Sequence, residues 1–280
     1  MSIDAQLRSL NIDIPAQPEA LVQLSDLLGS VDVNLQAVSH LIETDMALAA
    51  AVLKAVNSSM YGVTGRVQSV HQAITYLGTR EVAAITFAMV VKAMFPAAAE
   101  LEPVWQRAAV RGFLMGRIAS VVSVNAWSAH SAGLFEECGK AVLFKHDPIT
   151  YRQLLALAQD EVELLELEHQ TYGVCNDALG AALCETWGLA PSAVISVRHH
   201  IMINVKGEFP ANETDISICA ISALAHALMT DPDSLDGVAL NVAAHAGLDA
   251  QVLVQAVRKV QAQIESAVER GERAYGGSGS

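Results

Sequence analysis

Two adjacent acids sit inside an apolar run of this 280-residue chain. The stretch SAGLFEECGKAVLF, residues 131–144, sets Glu136 and Glu137 among Leu134, Phe135, Cys138, Ala141, Val142 and Phe144. The apolar residues recur at helical spacing, so the stretch is expected to be one buried helix. A carboxylate there is unfavourable unless it finds a partner. The pair is therefore a functional site, an ion-pair node or two side chains that escape to an edge. Neighbouring helical residues point about 100° apart, so the two acids are not expected to face one ion. His199 and His200, behind Arg198, offer imidazoles for a metal or a phosphate; the competing reading is a polar pair at a helix C-terminus, favoured by the dipole. His130, six residues before Glu136, lies off its face. Asn57, Ser58, Ser59 and Tyr61 either stop a helix through local backbone bonds or line a ligand or partner site.

Other chemistries lack their residues. There is no G-x-S-x-G, no Cys beside a His, no Walker A loop and no G-x-G-x-x-G. Basic residues are too sparse for a phosphate groove. The net charge of −13 argues against nucleic acid or an anionic membrane as partner. Cys138, Cys175, Cys184 and Cys219 form no CxxC pair and read as reduced core residues. No apolar run is long and clean enough to span a bilayer, and MSIDAQLRSLNIDIP lacks a signal-peptide layout. A cytoplasmic protein without a cofactor is expected.

The elements that would position these residues are all helical. Pro18 opens a helix with Leu21, Leu24, Leu27 and Leu28 on one face, ended near Gly29. Asn34 is placed to cap Leu35–Glu43, Asp45 to cap Met46–Val56, and Ser69 to cap Val70–Leu77. The Met46–Val56 helix is crowded with alanines, so its Ala face is expected to be buried and Ala50→Leu to overpack it. A turn runs through Gly62 and Gly65. Thr79 should cap Arg80–Met94, and Pro103 should open Val104–Val124, in which Gly112 and Gly116 form a close-packing pair. A helix over Ser128–His146 holds the acids. Helices over 151–168, 176–187 and 192–201 come next, with a polar loop at 203–213 and helices near 215–230, 235–246 and 249–272. The fold class is all-α, two packed bundles meeting at 96–103. Residues 1–100 would be an N-terminal bundle, 101–213 a second bundle, 214–275 helices packing on it, and 276–280 a flexible Gly/Ser tail.

Several segments together resemble the HDOD (HD-related output domain) family of bacterial signal-transduction proteins. They are the Pro15/Pro18 segment, LIETDMALAAAVLKAVNSSMYG (41–62) and SVHQAITYLGTREV (69–82). Trp105, Ala132-Gly133-Leu134, Gly139-Lys140, Glu168, Tyr172-Gly173, Gly180, Trp187 and His199-His200 fall in later family positions. The resemblance covers about residues 14–201 and implies a second bundle like the HD-superfamily metal phosphohydrolases. It places that superfamily's His-Asp doublet on Glu136 and Glu137, its upstream helix His on Arg107 and a later His on Asn176. Arg107 stays protonated and cannot ligate; Asn176 is a poor ligand for a catalytic divalent ion.

The resemblance and the lost ligand positions together imply a non-enzymatic regulatory module that binds a protein partner and, as a further option, a small-molecule ligand. No metal is expected, and the oligomeric state is open. Glu136 and Glu137 would be relics paired with Arg107 or Arg111, a ligand or partner site, or a degenerate metal site. The alternative function is a metal-dependent phosphohydrolase with a rearranged site from Glu136, Glu137, His199 and His200, acting on a nucleotide or phosphoester. A third is a purely structural oligomerisation domain.

Overall fold

The computed structural model describes residues 12–29, 34–58, 61, 63, 66–211, 213 and 215–276, with side chains undescribed at 28–29 and 267–276. Leu28, Ser59, Gly62, Gly65, the first eleven residues and the tail from Gly277 onward therefore lie outside the described residues or side chains. The described residues form helices and connecting turns and contain no strand. None of these helices is long and apolar enough to cross a membrane.

Contacts group the chain into two compact units. The N-terminal unit takes in Gln17–Met94 together with the residues from Arg258 onward. It holds α1 (Glu19–Gly29), α2 (Leu35–Glu43), α3 (Met46–Val56), α4 (Val70–Leu77) and α5 (Thr79–Ala93). Short polar side chains start three of these helices as expected. Asn34 accepts from the amides of Gln36 and Ala37, Asp45 from Ala47 and Leu48, and Ser69 from Gln72. Each satisfies amides that the first helical turn leaves without a partner. The start of α5 differs: Gly78, at φ 86°, is its N-cap, and Thr79 lies inside the helix. Helices α3 and α5 pack together, with Val52 and Val56 of α3 and Val82, Ala83 and Phe87 of α5 all buried.

The alanine face of α3 is not where composition places it. Val52 and Val56 are its buried residues, whereas Ala47 and Ala50 are exposed. Alanine suits close packing and an exposed helix surface equally. Two valines decide the orientation here, and Ala50→Leu would meet no core.

The central unit takes in Phe95–Val257 and the described residues up to Ala16. Its helices are α6 (Glu102–Val121), α7 (Ala126–Phe135), α8 (Cys138–His146), α9 (Pro148–Leu157), α10 (Glu161–Tyr172), α11 (Asn176–Thr186), α12 (Pro191–Lys206), α13 (Ser217–Thr230) and α14 (Leu235–Ala246). The last helix, α15 (Ala250–Gly276), begins in this unit. Helices α6 and α7 pack closely because glycines line the contact. A Cβ at Gly112 would lie 3.0 Å from the His130 carbonyl oxygen, and one at Gly133 2.8 Å from the Gly112 nitrogen. Phe135 meets Trp187 edge-on with ring centroids 5.2 Å apart, and the Trp187 indole N–H donates to the Pro15 carbonyl at 2.8 Å.

Candidate functional site

The expected continuous helix over Ser128–His146 is broken at the two acids. Helix α7 ends at Phe135 and α8 begins at Cys138, so Glu136 and Glu137 form the turn between them. Glu136 closes α7 by donating its amide to the Ala132 carbonyl at 2.9 Å. Glu137, at φ −98° and ψ −13°, starts α8 without a side-chain cap, so its carboxylate is free for other partners. Both residues are buried, at 0% and 2% exposure. Helical periodicity does not report this break, because apolar residues continue on both sides.

The break overturns the expectation that the acids cannot face one ion. The Arg111 guanidinium, itself 5% exposed, places Nη1 3.0 Å from Glu136 Oε2 and 3.7 Å from Glu137 Oε1. Glu136 Oε1 accepts from the Ser196 hydroxyl of α12 at 3.1 Å. Glu137 takes a two-pronged bond from Arg107, Nε to Oε1 at 3.2 Å and Nη2 to Oε2 at 3.0 Å. Lys140 Nζ reaches Glu137 Oε2 at 3.0 Å and Glu161 Oε1 at 2.8 Å. Three cations thus face three carboxylates, and the cluster's formal charges cancel. Arg107 and Glu161 keep 41% and 39% of their side chains exposed and mark its solvent edge.

The charges shift one another's protonation. Burial opposes the Glu137 charge, but Lys140, Arg111 and Arg107 outweigh it, so its carboxyl is held well below the usual carboxylate range. Burial likewise opposes the Lys140 charge, and Glu137 and Glu161 overcome it, raising the pKa. Arg107 behaves in the same way through Glu137.

Asn176 stands apart from the acid pair. Its backbone amide donates to Glu168 Oε2 at 2.7 Å, and its Nδ2 lies 3.1 and 2.9 Å from the two Glu168 oxygens. The Tyr151 hydroxyl donates to Glu168 Oε1 at 2.5 Å. Glu168 is fully buried, and burial pushes its pKa up to about 7 despite these donors. The positions matched to the superfamily's ligands therefore fall into two groups: Arg107 with Glu137 beside Glu136 and Arg111, and Asn176 with Glu168.

The remaining candidates have local uses. His199 and His200 do not end a helix, because α12 continues to Lys206 and is closed by Gly207 in the left-handed region. The His200 Nδ1 bonds the Val197 carbonyl at 2.8 Å. His199 is half-buried, and burial, with the Arg198 charge as the second cause, lowers its pKa. Arg198 pairs with Asp177. The Asn57 amide is used on both sides: Nδ2 donates to Leu53 O at 2.7 Å and Val67 O at 2.9 Å, and Oδ1 accepts from Val67 N at 2.8 Å. Ser58 is exposed, and Tyr61 N donates to Ser58 O at 3.3 Å. Among the described residues, no group of three or more His, Cys, Asp and Glu is placed to hold a metal ion.

Sequence reasoning passed over Lys140 as a buried cation, along with Glu161, Tyr151 and Ser196. Glu168 carried a readable signal. It lies four residues after Leu164, and these two are the buried positions of α10. An acid on a buried stripe announces a polar partner in the core.

The sequence pattern of the HDOD domain matches residues 14–203, more than half of the chain, and the chain belongs to that family. Solved structures share the fold. An HDOD domain protein with unknown function from Geobacter sulfurreducens is 18% identical with a TM-score of 0.67, covering 95% of each chain. A candidate phosphohydrolase from Shewanella amazonensis SB2B is 20% identical with a TM-score of 0.67, covering 97% of this chain and 98% of that one. A candidate signal transduction protein from Marinobacter aquaeolei VT8 is 21% identical with a TM-score of 0.69, covering 98% of this chain and 68% of that one. An uncharacterized protein of Treponema pallidum (strain Nichols) is 25% identical over 195 compared residues, a match that covers 67% of this chain and 37% of that protein.

Proposed function

We propose that this chain is a non-enzymatic regulatory module of bacterial signal transduction that acts by binding a protein partner, with a small-molecule ligand as a further candidate input. Membership of the HDOD family supports the signalling role. The observation that carries the non-enzymatic part is the Arg111 guanidinium, in contact with Glu136 and within 4 Å of Glu137. A divalent ion at the acids would meet that fixed charge, with Arg107 and Lys140 also bound to Glu137. Arg107 has no lone pair to give, and Asn176, held to Glu168 through its Nδ2, offers only a neutral amide oxygen. The residues present do not fit a metal that activates water.

Metal analysis of protein purified without added metal tests this reading, together with hydrolysis of a phosphoester panel in Mn2+ or Mg2+. The expected result is no stoichiometric Mn, Fe, Mg or Zn and no turnover. Metal-dependent turnover that disappears in Glu136→Gln would overturn it. The partner is tested by capture from the source cell, then reconstitution from pure components, measured as mass in solution.

A further inference from the structure

We propose that Trp187 and Phe135 form a notch that reads an extended, proline-containing segment, that the chain fills it in cis with Pro15, and that a partner protein's segment of the same kind takes that place when the chain's own withdraws. The inference rests on the reading that this module binds a protein partner, and it names that partner's chemistry. Residues 15–18 read Pro-Ala-Gln-Pro. Each proline ring fixes its own φ and pushes the residue before it, Ile14 or Gln17, out of the helical region. Residues 12–18 accordingly form no regular secondary structure. Such a segment is close to its bound shape before it binds, so docking it costs little chain entropy.

The receiving side is held in place by the fold. Trp187 closes α11, its amide donating to the Leu183 carbonyl at 3.0 Å, and Gly188, at φ 67°, turns the chain away behind it. The Phe135 ring, from the last residue of α7, braces the indole edge-on at 5.2 Å, and both rings are buried. The indole N–H donates to the Pro15 carbonyl at 2.8 Å, a buried bond between residues 172 positions apart. An aromatic wall against an extended proline segment is a recurring mode of peptide recognition. Here the fixed indole donor adds a direction.

The hold on the segment is slight. Pro15 is its buried residue, Ile12 and Ile14 are half-buried, and Asp13 and Ala16 are exposed. Among the described residues, the Trp187 bond is the one hydrogen bond that ties residues 12–16 to the rest of the chain. With one anchor and one bond, the segment belongs to the parts of a fold that open first. Withdrawal leaves a buried N–H without an acceptor, which is unfavourable. The carbonyl of another extended segment relieves it.

The test uses the full chain, with a labelled synthetic peptide of residues 12–18 as the probe. Anisotropy gives the affinity, and the Trp187 indole N–H resonance in NMR gives the place of binding. In the wild type the tethered segment competes at an effective concentration on the order of millimolar. Pro15→Asp puts a charge at the buried anchor and unseats it. The peptide is expected to bind Pro15→Asp at least about tenfold more tightly than the wild type, because the competitor is gone. Trp187→Phe added to Pro15→Asp keeps a ring without the donor and should weaken the peptide about three- to tenfold. Hydrogen exchange needs no variant: the wild-type indole N–H of Trp187 should exchange faster than the interior amides of α11. The proposal fails if the peptide leaves the Trp187 resonance of Pro15→Asp unmoved, if it binds wild type and Pro15→Asp equally, or if loss of the indole changes nothing. It also fails if the indole exchanges only as slowly as the helix interior, and that measurement decides should Pro15→Asp not fold. A partner reconstituted from pure components that binds Trp187→Phe as well as the wild type sinks the notch alone and leaves the partner-binding reading standing.

Discussion

Two clusters of the central unit bury glutamates and neutralise them in two ways. Around Glu136 and Glu137 stand three cations, Arg111, Arg107 and Lys140, beside the neutral Ser196 hydroxyl. Around Glu168 the direct donors are neutral: the Tyr151 hydroxyl and the amides of Asn176. The same residue type, equally enclosed, is consequently pushed in opposite directions. Glu137 is held ionised far into the acid range, whereas Glu168 reaches a pKa of about 7. Burial raises both, and hydrogen bonds from uncharged donors offset less of it than full charges do. What separates Glu137 from Glu168 is the charge of their partners, not their number.

The most damaging way to break the contrast is to remove the cation at the acids. Arg111→Met should destabilise by about 3–5 kcal/mol, because it strips Glu136 of its charged partner in a dry interior. The Arg111→Met/Glu136→Leu double variant should recover much of that loss. Chemical denaturation of the three proteins checks both statements, and an undiminished loss in the double variant would refute the pairing argument.

Next in size is the pH dependence of Glu168. Its folded pKa, about 7, exceeds the ordinary 4.5. Between those values the native state holds a proton that the unfolded chain has released. Stability is therefore fully present below about pH 4.5 and is lost as pH rises towards 7, by roughly 3 kcal/mol at 1.36 kcal/mol per pKa unit. Glu137 acts on the other side: its contribution is present above the unfolded pKa and is lost on further acidification. Urea unfolding from pH 4.5 to 8 should show the Glu168 slope in the wild type and not in Glu168→Gln.

Tyr151→Phe sharpens the comparison with a smaller effect. It removes a donor that favours the ionised form, so the Glu168 pKa should rise further, with a loss of about 1–2 kcal/mol above pH 7. A carboxyl titration by NMR reads the shift directly. Arg107→Ala should cost about 1 kcal/mol or less, because Arg107 is partly exposed and Arg111 and Lys140 remain beside Glu137. Ala50→Leu, at an exposed position of the N-terminal unit, should change stability by under about 0.5 kcal/mol. Thermal unfolding of these last two variants places them at the bottom of the series.

Much of the fold was legible because local chemistry wrote it. Asn34, Asp45 and Ser69 cap where a short polar side chain precedes an apolar repeat. The ion pairing of the acids was a matter of energy alone, since an apolar helix tolerates no stray carboxylate. Other features needed information that neighbours in sequence do not carry. The turn at Glu136–Glu137 sits in an unbroken apolar pattern. The Lys140–Glu161 pair joins residues 21 positions apart, and Tyr151–Glu168 residues 17 apart. The end of α12 was misplaced because the His199–His200 pair resembles a polar stop. The apolar residues Ile201 and Ile203, both buried, carry the helix on to Gly207.

One contact between these two acid clusters has a mechanical consequence. A Cβ at Gly139 would lie 1.8 Å from the Asn176 carbonyl oxygen and 2.9 Å from the Gly180 nitrogen, and one at Gly180 3.0 Å from the Phe135 carbonyl oxygen. Backbone therefore lies on backbone where α8 crosses α11. A shift of α8 by one residue in either direction would drive the Cβ of Cys138 or Lys140 into that crossing. Sliding is blocked, and the two helices are keyed like gear teeth. The acid turn on one side and the Asn176–Glu168 cluster on the other are thereby held in fixed register along the two helices.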